Sequence, residues 1–273
     1  MKLAHLLLIA ATASVFQTTA QTADIEAALT AAIAGEHRSE KNKARDAYRN
    51  PLETLTFFGL TPEMTVLEIA PGGGWYQDIL APALRDTGTY IAGSYDPDVA
   101  DQPSYRYRQH DRLLERIKQQ SDLFGQIEVA TYSPPESRDL WKTDSVDLVV
   151  TFRSSHGWTR EGLIDDIYSD FFKVTKPGGA LGVVQHRAPE NEDAVAWAKK
   201  GYVSEARIIQ AAESAGYVLE ARAEINANPK DKKDHERGVW RLPPTLALGD
   251  EDREYYMSVG ESDRMTLLFR KPA

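Results

Sequence analysis

The sequence predicts an α/β protein whose core is a mostly parallel sheet with helices on both faces. Three observations predict it. Thr65 to Ile69 is a short β-rich run, Trp75 to Leu84 puts Ile79, Leu80, Ala83 and Leu84 on one helical face, and Pro71-Gly72-Gly73-Gly74 joins the two. Ser145 to Phe152 is apolar on both faces, which suits a parallel strand covered by helices. Gly162 to Val174 then carries apolar residues at 163, 164, 167, 168, 171, 172 and 174, the spacing of an amphipathic core helix.

The N-terminus reads as a targeting segment. Lys2 supplies a positive charge, Leu3 to Phe16 an apolar run, and Thr18-Thr19-Ala20 the small residues of a cleavage site. Residues 1–20 are therefore expected to be a cleaved signal peptide of bacterial type, sending the chain to the periplasm or outside the cell. The run is shorter than the roughly 20 apolar residues a membrane helix needs, so no membrane span is expected after cleavage. Residues 21–50 read as a helical extension: Asp24 caps a helix striped by Ile25, Ala28, Leu29, Ala32 and Ile33, Gly35 ends it, and Ser39 to Tyr48 is a second, highly charged helix. Asn50-Pro51 breaks it, and a single domain is expected over 51–273.

Within that domain the elements follow in order. Thr54 to Leu60 reads as a helix and Thr61-Pro62-Glu63 as the turn into the first strand. Thr89 to Gly93 is the second strand, Leu113 to Phe124 a helix, and Ile127 to Thr131 the third strand. After the fourth strand, Lys176-Pro177-Gly178-Gly179 turns into a fifth, Ala180 to Val184, which runs into Gln185-His186-Arg187. Ser204 to Ala215 is a helix capped by Gly216, Tyr217 to Ile225 a strand, and Met265 to Phe269 the last strand. Between these two lies a long polar excursion, 226–263, more than a hairpin needs, and such loops are usually functional or poorly ordered.

Composition narrows the function. The chain of 273 residues has a formal charge of −9 and a pI near 5.3, which argues against a general nucleic-acid or anionic-membrane binder. It has no cysteine, which excludes disulfides, thiolate chemistry, a cysteine zinc site and a lipid-anchored N-terminus. Tyr105-Arg106-Tyr107-Arg108 is too short for a basic patch and reads as a solvated face. Gly-x-Ser-x-Gly is absent, no Lys-Ser/Thr follows the glycines, and Gly-x-Gly-x-x-Gly is not met, so serine-hydrolase, P-loop and nicotinamide readings fall away. No spacing such as His-Glu-x-x-His supports a metal site, so none is expected.

Strand, glycine turn and helix together present backbone N–H groups to a nucleotide-like ligand. Here an acid, Glu68, precedes the glycines. That order resembles motif I of the class I S-adenosylmethionine-dependent methyltransferases, an acid followed by Gly-x-Gly-x-Gly. The corresponding residues are Glu68, Ile69, Ala70, Pro71, Gly72, Gly73 and Gly74, with Ala70 in place of the first glycine, where alanine serves if its φ is negative. Val146 to Phe152, Lys176 to Gln185, Ala215-Gly216-Tyr217 and Met265 to Phe269 resemble the family's later strands and their approaches. The resemblance spans roughly Pro51 to Pro272 and is nearest to a group of exported bacterial predicted methyltransferases, whose Phe-Arg-x-x-His element is matched by Phe152, Arg153 and His156.

The resemblance implies a Rossmann-like class I methyltransferase fold, seven strands with the last antiparallel, and S-adenosylmethionine as cofactor. It implies donor binding by Glu68, Ala70 to Gly74, Phe152 and an acid after the second strand. Asp96, 22 positions beyond Gly74, is the candidate ribose ligand and Asp98 the fallback; Asp96-Pro97-Asp98 is equally good turn chemistry. Ser133-Pro134-Pro135 falls where the family contacts adenine, and Tyr48 and Arg49 where its N-terminal helices cover the donor; a solvated linker explains Tyr48 and Arg49 equally well. Arg153, His156 and His186 are the catalytic candidates, the histidines as general bases because their free pKa lies near neutrality, with a structural role as the alternative for each. The expected function is methylation of an unidentified small-molecule acceptor. S-adenosylmethionine is charged and made in the cytosol, so an exported enzyme needs a supply; the rival reading is a methyltransferase-like binding protein without methyl transfer.

Overall fold

Thr65–Ile69 forms β1, whose side chains alternate between two apolar layers because successive strand residues point to opposite faces. Val66 joins Leu148 and Val150 on one face, while Leu67 and Ile69 join Val149 on the other. The structure is a computed structural model and describes residues 24–273; the segment 1–20 lies outside them. Seven strands form one sheet: β1, β2 (Thr89–Ser94), β3 (Ile127–Thr131), β4 (Val146–Phe152), β5 (Thr175–His186), β6 (Val218–Ala223) and β7 (Arg264–Arg270). Their order is β3-β2-β1-β4-β5-β7-β6, parallel except for β7, which runs antiparallel to both neighbours. The order reverses direction between β1 and β4, so the carboxyl ends of these two strands border a crevice.

Helices cover both faces. On one side, α1 (24–34), α4 (Pro51–Phe57) and α5 (Gln77–Leu84) bury Leu29, Leu55, Ile79 and Leu80 against the sheet. On the other, α9 (Ile164–Val174) and α11 (Glu205–Ala215) bury Ile167, Phe171 and Ile208 against Leu181 and Leu267. At roughly 25 cal/mol per Å² of apolar surface removed from water, these two layers are the main stabilising term. Ser204 caps α11 by accepting from the Arg207 N–H, and Gly216 ends it at φ 111°, a conformation that needs glycine.

Several boundaries differ from expectation. The charged stretch after Ser39 splits into two single turns, α2 (Glu40–Lys43) and α3 (Asp46–Arg49). The helix expected from Leu113 begins at Ser104 as α6 (Ser104–Gln119), and a separate turn, α7 (Ser121–Phe124), follows it. β5 begins at Thr175, with Lys176 to Gly179 as an irregularity where pairing to β4 shifts register. The helical turns α8 (Ser155–Glu161) and α10 (Ala194–Lys199) were not expected from the sequence.

The N-terminal extension is bound to the core by specific polar contacts. Pro82 inside α5 has no N–H to donate, and the carbonyl of Asp78, which an ordinary residue there would satisfy, is met by Nε2 of His37 at 2.8 Å. The excursion after β6 contains a 3₁₀ turn (Gly238–Arg241) and α12 (Arg253–Val259). It is fixed by the buried Asp231, which accepts from the Tyr202 hydroxyl, from Nε2 of His235 and from the Asp263 N–H. Among the described residues no helix is long and apolar enough to cross a membrane.

Candidate active site

The glycine turn forms the floor of the crevice between β1 and β4. Ala70 (φ 54°), Gly72 (φ 59°) and Gly74 (φ 76°) all take left-handed backbone, so the turn doubles back tightly before α5. The Ala70 geometry corrects the expectation of a negative φ. Alanine in this region carries strain of about 1–2 kcal/mol, so Ala70→Gly is expected to raise stability by about 0.5–1 kcal/mol, after the entropy glycine adds to the unfolded chain. Denaturant unfolding checks this; a lower midpoint would show that the methyl group packs usefully. Gly73 has ordinary φ, and a Cβ built there meets no atom within 4 Å. Gly74 differs: a Cβ there would sit 2.8 Å from Nε of Arg116.

Above this floor is a cleft of about 680 Å³, within the range of small-molecule sites. Of the residues singled out from sequence, Ala70, Pro71, Gly72, Gly73, Phe152, Arg153, His156 and His186 all line it. Phe152 is stacked on Tyr76 with ring centroids 3.5 Å apart, closing the cleft's base. Arg153 follows at φ 62°, a left-handed turn at the end of β4 that leads into α8 and His156. The two histidine rings lie 6.2 Å apart, and Trp240 packs edge-on to His156.

Both histidines are neutral at physiological pH. Burial, reinforced by Arg160 and Arg153, lowers His156 to about 4; burial, His156 and Arg153 hold His186 well below its ordinary value. Nδ1 of His186 is paired with the Ser262 hydroxyl, whereas Nδ1 of His156 is buried with no partner. Arg153 is lowered by burial to about 10 and keeps its charge at neutral pH.

Three expected donor ligands are not on the cleft wall. Gly74 shapes the turn beside Arg116 instead of lining the cleft. Glu68 lies beneath the floor, 2% exposed, and accepts a 2.6 Å hydrogen bond from Tyr90. Asp96 engages the turn: its carboxylate accepts from the Ser137 hydroxyl at 2.6 Å and from the Asp98 N–H at 3.0 Å. Tyr95, one residue earlier, reaches the wall. Pro134 is the member of the 133–135 loop that lines an apolar recess continuing from the cleft, with Tyr95 and Trp158. Arg49 is on the wall, while Tyr48 is 40% exposed outside it.

Burial pushes Glu68 up from 4.5 to about 7, with the Tyr90 hydrogen bond opposing the shift. The folded protein therefore holds this proton over a pH range in which the unfolded chain has lost it. Its stabilising effect is complete below about pH 4.5 and is lost as pH rises through about 7. Glu68→Gln is accordingly expected to stabilise by about 2–3 kcal/mol at pH 8 and by nothing near pH 4.5. Thermal midpoints at the two pH values check this; equal gains would contradict it.

Apart from Arg49, most of the wall was not among the candidate site residues read from the sequence. Arg45 and Asn42 come from the extension, Tyr105 and Arg106 from α6, and Trp240, Pro243 and Glu261 from the excursion. The unexplained length of 226–263 was the one signal available. Glu261 is the hub: its carboxylate accepts from Nε of Arg45 at 2.7 Å, Nε of Arg49 at 2.9 Å and Nη1 of Arg264 at 3.1 Å. Among the described residues no group of three or more histidines or acids could hold a metal ion.

The strand order, the glycine floor and a cleft at the strand-order switch are those of the class I methyltransferase fold, and this chain has that fold. Solved structures with the same architecture include an S-adenosylmethionine-dependent methyltransferase from Aquifex aeolicus (18% identity, TM-score 0.51, covering 68% of this chain and 89% of that one). Geranyl diphosphate methyltransferase in complex with S-adenosylmethionine is similar at 13% identity and TM-score 0.53, over 89% of this chain and 94% of that one. The [4+2]-cyclase SpnF is similar at 15% identity and TM-score 0.55, over 92% and 93%. No protein-family model matches the chain, and no curated protein matches it in sequence.

Proposed function

We propose that the protein is an S-adenosylmethionine-dependent methyltransferase acting on a small-molecule acceptor in the periplasm or outside the cell. The observation that carries this reading is the open space above Gly73, a glycine whose backbone faces a cleft at the strand-order switch. The residues fit the donor. The Ala70–Gly73 backbone offers a close approach without side chains, and Tyr95, Pro134 and Trp158 offer apolar surface for a purine. The bound donor supplies a methyl group on a sulfonium, displaced in line with the bonding pair left on sulfur.

The chain's part is positioning. The 70–73 turn and Phe152 line one part of the reaction space, and Trp158 and Trp240 add apolar wall to it. His156, neutral and lining the cleft, is the candidate to take a proton from an acceptor that must lose one. With a pKa near 4 it gives that proton up to solvent water at neutral pH.

A second reading is a binding protein with this fold and no methyl transfer. It is favoured by the engagement of Asp96 in its own turn, and the [4+2]-cyclase SpnF is a reminder that the fold alone does not set the reaction. Incubation with methyl-tritiated S-adenosylmethionine and low-molecular-weight extract separates the two. Label transferred to a small molecule supports the enzyme; tight donor binding with no transfer from any fraction supports the binding protein.

A further inference from the structure

We infer that the acceptor is an anion, held through a carboxylate or phosphate group by Arg49 and Arg153; this rests on the reading of the cleft as a methyl-donor site. Arg49 is 1% exposed and lines the cleft, yet both terminal nitrogens of its guanidinium are buried without a hydrogen-bond partner. Its Nε is spent on Glu261, and the plane lies over Trp75 at 4.7 Å. An unpaired donor in a buried guanidinium is costly, and a guanidinium cannot shed its charge to escape that cost.

The charge balance points the same way. Arg45, Arg49 and Arg264 all converge on the single carboxylate of Glu261. Arg153, within electrostatic reach of that same acid, makes no ion pair of its own among the described residues. Four cations thus share one anion, three of them (Arg45, Arg49 and Arg153) on the cleft wall, in a chain whose formal charge is −9. The other acid on the wall, Glu161, is already paired with Arg106 and Arg160. Buried cations in excess of their partners call for an anionic ligand.

The donor does not meet that need. It carries one carboxylate against an ammonium and a sulfonium, so it brings net positive charge into a wall that is already positive. An anionic acceptor balances both the wall and the sulfonium, and planar guanidinium forks suit carboxylate or phosphate oxygens in a bidentate grip.

The test is calorimetric titration of the full chain with citrate and with inorganic phosphate, each with and without saturating S-adenosylhomocysteine. The expected result is that at least one anion binds the S-adenosylhomocysteine-saturated protein. Arg153→Gln should then weaken that anion about tenfold or more while changing S-adenosylhomocysteine affinity less than about twofold. Arg49→Gln should do the same; because Arg49 also ties the extension to Glu261, its fold is checked by thermal unfolding, and Arg153→Gln carries the test if it unfolds. Anions that bind only the free protein and are displaced by S-adenosylhomocysteine would overturn the inference, assigning the arginines to the donor's carboxylate. Binding of neither anion would overturn it as well. Anion binding with no S-adenosylhomocysteine binding would leave the anion site standing and sink the methyltransferase reading.

Discussion

Replacing Gly73 with valine is expected to weaken donor binding by at least about a hundredfold while leaving the fold intact, because the new side chain occupies ligand space and nothing else. The backbone at Gly73 has no positive φ, and an added Cβ meets no protein atom within 4 Å. The first carbon of a side chain there therefore meets open space. Gly74 is the contrast. At φ 76° and with Arg116 in the path of a Cβ, Gly74→Val should lower stability and binding together. Titration with S-adenosylhomocysteine and thermal unfolding of the two variants separate the effects. Unchanged affinity in a folded Gly73→Val protein would place the donor elsewhere.

The largest effect on stability is expected from Glu261→Gln. This carboxylate holds Arg45 and Arg49 from the N-terminal extension and Arg264 from the start of β7, so it ties both ends of the described chain to the cleft. Removing its charge leaves those buried guanidiniums facing one another with Arg153 nearby. Breaking a buried pair in this way costs about 3–5 kcal/mol, or roughly 10 °C in thermal midpoint for a chain of this size. A loss under about 2 °C would mean that the arginines find other partners. Citrate or phosphate, if they bind where inferred, should raise the variant's midpoint more than the wild type's.

The parts of this fold that announce themselves in the sequence are those with local causes. β1 and β3 begin and end where expected because each is a short β-branched run bounded by turn residues. The Ser204 cap and Gly216 stop bound α11 equally clearly. α6 is the counter-example. Its first half, Ser104 to Arg112, is almost wholly polar, and along the whole helix His110 and Leu113 are the fully buried residues, so there is no apolar period to read. The cleft floor was legible because a glycine turn is a local solution to a backbone problem. The wall was legible only at Arg49, since Arg45, Arg49 and Glu261 meet across more than 200 residues and nothing local marks Glu261 as the partner of the other two. Asp96 shows what spacing leaves out: it suits a ribose ligand, and Ser137, far along the chain, also donates to its carboxylate.

The methyltransferase reading of the cleft requires that it take the donor. Calorimetric titration of the protein with S-adenosylhomocysteine decides this most directly, since the product needs no acceptor and is not turned over. The expected result is a single site with affinity near micromolar, about −8 kcal/mol. Absence of binding up to millimolar concentration in a folded protein would contradict the donor site and leave a methyltransferase fold put to another use.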